Sequence, residues 1–146
     1  LHLGRAIQAA DTLGAAQYML DQAVDYSLER KQFNRVIGSF QAVKHMCAEM
    51  ASQLEPCRSF VWYAGHAFDE SNSDAALTAC HAKAHLAEVG QFVAKTSTEV
   101  HGGMGFTWEF DCQFYYRRAK LLSVNIGSEG YWQDRLITAM EQNNAA

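Results

Sequence analysis

Residues 79–105 read ACHAKAHLAEVGQFVAKTSTEVHGGMG, and this stretch decides the fold. Ala79, Ala82, Leu86, Val89, Val93, Thr96 and Val100 recur in alternating steps of three and four. That rhythm draws one stripe down a helix, and the small residues in it let a second helix approach closely. The helix stops at His101-Gly102-Gly103-Met104-Gly105, where glycines end regular structure and free the backbone for close contact. On the N-terminal side, Leu3, Ile7, Ala10, Leu13, Ala16, Leu20, Val24 and Leu28 keep a similar rhythm and predict a long amphipathic helix. Arg30-Lys31-Gln32-Phe33-Asn34-Arg35 breaks it and reads as a loop, after which Gly38-Ser39 offers an N-cap. A second helix is expected over residues 40–68, kinked where Pro56 removes a backbone donor. A polar connection follows over residues 69–74, in which Ser73 or Asp74 can cap the next helix. After the glycines, a helix is expected over residues 111–123 and, beyond Gly127, another over 129–141, with a fraying tail over 142–146. No strand is expected. The fold class is all-α: an antiparallel up-down four-helix bundle in a single domain over residues 1–146. The chain opens at Leu1 already in a helical pattern, so it reads as a fragment of a longer protein.

Composition excludes several classes of function. With 49% hydrophobic residues the chain can bury a core, and no apolar run is long enough for a membrane helix. The net charge of −4 argues against nucleic acid or an anionic membrane as partner. Cys47, Cys57, Cys80 and Cys112 are widely spaced, with no CxxC, which fits a reducing, cytoplasmic setting. His81 and His85 stand four apart with Glu88 beyond, but no further ligand cluster accompanies them, so no metal site is expected. The aromatics at 60, 62, 63, 114–116, 131 and 132 read as core or subunit-contact residues.

Two segments can carry chemistry. Arg30 to Phe33 places a guanidinium, which binds phosphate bidentately, beside an aromatic able to pack on a planar ring. Residues 101–109, HGGMGFTWE, offer main-chain amides to an anion at a helix end. A second basic run, Arg117-Arg118-Ala119-Lys120, follows.

Together, Arg30 to Phe33, Phe40-Gln41, Gly102 to Phe106 and Arg117 to Lys120 resemble, in order and spacing, the C-terminal helical domain of the acyl-CoA dehydrogenase family. The HGGxGFTWE form looks most like bacterial members, including those acting on bulky or sterol-type acyl-CoA. The resemblance implies a flavoenzyme that binds FAD at a subunit interface and desaturates an acyl-CoA thioester between its α and β carbons. A carboxylate base takes the α proton and the β hydride goes to the flavin. It implies a homo- or hetero-oligomer, dimer or tetramer, and an electron-transfer partner. By position, Arg30, Gln32 and Phe33 would reach the FAD of a neighbouring subunit, with Gln41 close to the same cofactor. Glu99, Gly102 and Gly103 would face its diphosphate and adenosine end, and Ser128 would stand near the flavin.

The chain also departs from the family pattern. The usual base position falls on Ile126 and the minority position on Gly4, neither of which can accept a proton. Asp11, seven residues after Gly4, and Glu129, three after Ile126, are the carboxylates left to weigh as a catalytic base. Glu99 replaces a common glutamine and would repel a diphosphate unless protonated or turned away. Two other readings stay open: a non-catalytic subunit of a mixed oligomer, or a helical oligomerisation scaffold without ligand.

Overall fold

The computed structural model describes residues 2–70 and 74–144. Among these residues there are six α-helices: α1 (His2–Glu29), α2 (Gln41–Leu54), α3 (Cys57–Asp69), α4 (Ala75–His101), α5 (Cys112–Val124) and α6 (Glu129–Asn144). The expected frame is present. Helix α1, the α2–α3 pair, α4 and α5 form the bundle, and α6 packs across α4.

Cross-contacts set the directions. Arg5 meets Cys80 and Ser97 bonds the Met19 carbonyl, so α1 and α4 run parallel. Asp11 pairs with Arg118 and Tyr18 stacks on Tyr115, so α5 runs against α1. Helices α1 and α4 share the most extensive interface, because each presents small residues to the other. Ala9, Ala16 and Ala23 on α1, and Ala79 and Ala82 on α4, are fully buried. Met19, Met50, Leu54, Leu86, Val89 and Val93 fill the space between these stripes and α2–α3.

Four local expectations are corrected. Residues 40–68 form two helices, not one kinked helix: α2 ends at Leu54 and Pro56 directly precedes α3, its φ of −62° suiting a helix start. Gly38-Ser39 is no N-cap. It lies in a 3-10 turn, Ile37–Ser39, the Ser39 hydroxyl donates to the Val36 carbonyl, and Phe40 precedes α2. A minimal antiparallel ladder joins β1 (Lys31–Gln32) to β2 (Arg35–Val36), where no strand was expected. Phe33 and Asn34 at its tip have φ of 53° and 61°, the mirror-image turn that closes a two-residue hairpin. The signal was masked because that turn normally carries Asn-Gly, and here a bulky Phe occupies its first position. Finally, α6 continues through Asn144, past the expected fraying point. Asp74 directly precedes α4, whereas the alternative cap, Ser73, lies outside the described residues, as do residues 71 and 72 of the polar connection.

Candidate functional site

The parallel α1 and α4 end side by side, which brings the Arg30 loop to the glycines after His101. Arg30, Gln32, Gly102, Gly103, Met104 and His101 line one cleft of about 420 Å³. Gly102 has φ of 59°, and around both Gly102 and Gly103 a Cβ would meet nothing within 4 Å. The cleft therefore offers side-chain-free main chain on one wall, where the Gly102 amide itself is taken up by the Glu99 carbonyl, and an exposed guanidinium on the other, which suits an anion. Behind Tyr26 and His101 a second hollow of about 390 Å³ is lined by Asp25, Glu29 and Arg30. Its carboxylates disfavour an anion there and favour the glycine side.

His101 forms the floor between these hollows. It is 3% exposed. Its ring stacks on Tyr26 at 4.5 Å, and Phe110 closes over both. The Nδ1 proton is donated to the Ser97 carbonyl at 2.7 Å, while Nε2 is buried with no partner. Burial holds the imidazole below its ordinary value, with the Ser97 bond acting the other way. The ring is thus neutral at pH 7, with an unused acceptor beside the cleft.

The other sequence candidates do not line this cleft. Phe33 stands at the hairpin tip, 86% exposed. Its ring meets Phe40 edge-on at 6.1 Å, and Arg35 lies over Phe40. Gln41 is exposed in the first turn of α2 beside His45. Glu99 points to solvent and pairs with Lys95 at 3.8 Å, which tempers its charge. Ser128 lies at the opposite end of α4, where its hydroxyl accepts from the Tyr131 amide at 3.4 Å. His81 and His85 pack around Phe60, and no metal-ligand group exists among the described residues.

At that opposite end Gly4 and Ile126 come together: a Cβ on Gly4 would sit 3.6 Å from Ile126 Cδ1. The spot carries no carboxylate from either position. Asp11 is held by Arg118, and Glu129 accepts a bond from Gln133 in the first turn of α6. The loop itself is held firmly. Ile126 has φ of 61°, a costly conformation for a β-branched residue. The Trp132 indole N–H donates to the Ile126 carbonyl at 3.0 Å. Gly127, with φ of 111°, lies so close beneath that ring that a Cβ would come within 2.8 Å of the indole nitrogen. The Arg5 guanidinium lies over the Trp132 ring at 3.8 Å. Lys83, 2% exposed, donates to the Leu122 carbonyl near the end of α5, and burial lowers its pKa.

Sequence reasoning missed Tyr26, His101, Lys83 and the Arg5–Trp132 stack. Arg5 and Lys83 carried a faint signal, since each falls in phase with a buried stripe: Arg5 with Ala9 and Ala16, Lys83 with Ala79 and Leu86. Tyr26 and His101 carried none, because their meeting depends on the parallel pairing of α1 and α4.

Comparison with known proteins shows the family of the fold. The family profile described as acyl-CoA dehydrogenase, C-terminal domain, matches residues 1–140. Acyl-CoA dehydrogenase FadE34 of Mycobacterium tuberculosis is 37% identical over 141 residues, covering 96% of this chain and 20% of that protein. The caffeyl-CoA reductase-Etf complex subunit CarC of Acetobacterium woodii is 33% identical, covering 88% of this chain and 34% of its own. Among solved structures, a variant of the Tcur3481-Tcur3483 steroid ACAD superposes with a TM-score of 0.95 at 30% identity, over 100% of this chain and 40% of that one. The chain thus spans between a fifth and two fifths of the length of these three relatives.

Proposed function

Because the chain belongs to the acyl-CoA dehydrogenase family as its C-terminal domain, we propose that it forms one wall of the FAD site in an enzyme that desaturates acyl-CoA. The observation that carries this reading is the cleft joining Arg30 and Gln32 to the side-chain-free main chain of Gly102 and Gly103. These groups fit a diphosphate: the guanidinium supplies charge-assisted bonds, and the bare glycine main chain lets a phosphate approach closely. Phe33, Gln41, Glu99 and Ser128, which lie off the cleft, are assigned to contacts made across subunits. When bound, the flavin supplies the hydride acceptor.

The partners follow from the same reading. The substrate is an acyl-CoA, and the steroid ACAD likeness favours a bulky acyl group. The CarC likeness favours an electron-transfer flavoprotein as redox partner. Four free cysteines suit the cytoplasm, and no helix among the described residues is long and apolar enough to cross a membrane.

The test is flavin retention in the full-length protein. Arg30→Ala removes a charge-assisted contact worth about 1.5–3 kcal/mol, roughly a 10- to 150-fold loss of affinity. Arg118→Ala removes only an exposed ion pair with Asp11 and leaves the flavin in place. Equal flavin loss in the two variants overturns the assignment.

Gly4 and Ile126 favour a second reading within the same family: a subunit without a base that supports the flavin site of a catalytic partner. Proton abstraction needs a carboxylate within hydrogen-bond reach, and general-base help is worth about 10²–10⁴-fold. On this reading the full-length protein alone turns over no acyl-CoA and gains turnover with its partner. High turnover alone, abolished by Asp11→Asn or Glu129→Gln, refutes it and identifies the base.

A further inference from the structure

The charges at the start of α1 are unbalanced. Arg5 is 4% exposed, deep between α1, α4 and α6. Its Nη1 reaches Cys80 Sγ at 2.8 Å and His2 Nδ1 at 3.0 Å, while its Nε is buried without a partner. Neither neighbour is anionic. Burial pushes the Cys80 thiol up despite the pull of Arg5, and His2 is held below its ordinary value, hence neutral at pH 7. Trp132 offers a ring face at 3.8 Å, which solvates a cation without neutralising it. Arg135, on the rim, donates from Nε to the Tyr131 hydroxyl at 3.4 Å, and its terminal nitrogens bond to none of the described residues. Among the described residues, neither arginine has a carboxylate within ion-pair distance. Asp134 influences Arg135 only weakly and from its own helix. A buried cation without a counter-charge is strongly disfavoured, so the arrangement calls for an anion.

Between the two guanidinium groups lies a cleft of about 260 Å³, walled on its apolar side by Leu77 and Ala139. We propose that this cleft binds a small free oxyanion, a phosphate or a short-chain carboxylate, held between Arg5 and Arg135. The forked donors match the oxygen pair of either group, and the apolar wall admits a few carbons beyond it. This site lies at the opposite end of α1 and α4 from the Arg30 cleft and does not depend on the flavin reading.

The test uses the flavin-saturated full-length protein labelled with fluorotryptophan. Trp132 carries the stack with Arg5, and its fluorine NMR line is identified by its loss in Trp132→Phe. Inorganic phosphate and butyrate are titrated in turn against sodium chloride at matched ionic strength. The Trp132 line is expected to move saturably with either probe, with a Kd of about 1–10 mM, and not with chloride. Arg135→Gln, on the exposed rim, is expected to raise that Kd roughly tenfold. The proposal is overturned if chloride moves the line as far, or if Arg135→Gln leaves the Kd unchanged. It is also overturned if neither probe moves the line, including the case in which a carboxylate from another subunit already fills the cleft.

Discussion

Gly90 is where the parallel packing of α1 on α4 can be tested most sharply. It lies buried within α4, facing Thr12 of α1. A Cβ at position 90 would overlap Thr12 Cγ2 at a separation no real Cβ contact shows. Thr12 cannot simply turn away, because its hydroxyl donates to the Gln8 carbonyl at 2.8 Å and its side chain is 5% exposed. Overpacking of this kind costs about 1–3 kcal/mol. Alanine gains about 1 kcal/mol over glycine in a helix interior, so Gly90→Ala is expected to destabilise by about 1 kcal/mol net. Thr12→Ser deletes the clashing methyl and keeps the hydroxyl bond, and alone costs about 0.8 kcal/mol for one buried carbon. In the double variant the new methyl occupies the vacated space. The strain disappears, the helix gain remains, and the pair is expected to equal or exceed the parent in stability. The coupling energy is then about 1–3 kcal/mol, measured by urea denaturation of the four proteins with far-UV circular dichroism. Additivity within about 0.5 kcal/mol, or stabilisation by Gly90→Ala alone, refutes the direct contact between these helices.

Two further outcomes follow from buried titratable groups. His101 is held below its ordinary value of 6.5, so between its folded value and 6.5 the unfolded chain binds the extra proton. Stability due to this group is full above pH 6.5 and falls as pH drops to the folded value. His101→Gln is therefore expected to lose less stability than the parent between pH 8 and pH 5, by urea midpoints, and an identical loss refutes the neutral buried imidazole. Cys57 is pushed up to about 11 by burial, against the opposing pull of a backbone hydrogen bond, whereas Cys47 is only half-buried. Native alkylation at pH 8, read by peptide mass, should modify Cys47 well before Cys57, and the reverse order refutes the burial argument.

The sequence by itself determined the helical class and the rough position of every long helix, because a stripe in steps of three and four is a property of one segment and needs no neighbour. It also singled out Arg30 and the glycines after His101 as candidates for binding an anion, while the family resemblance, and no local rule, put Gly4 and Ile126 at the positions expected of a base. Local rules failed where two influences competed. Phe33 hid a hairpin whose turn tolerates it only under the constraint of the flanking ladder, and Pro56 separated helices that share one apolar stripe. What only the tertiary structure decided is which distant residues meet. Running α1 parallel to α4 sets Tyr26 on His101 beside the Arg30 cleft at one end. At the other end it sets Arg5 against Cys80, with Gly4 against Ile126. The pairings between α1 and α4 join positions 75 to 78 residues apart, and they depend on side-chain volume across an interface, which no periodicity along one chain segment encodes.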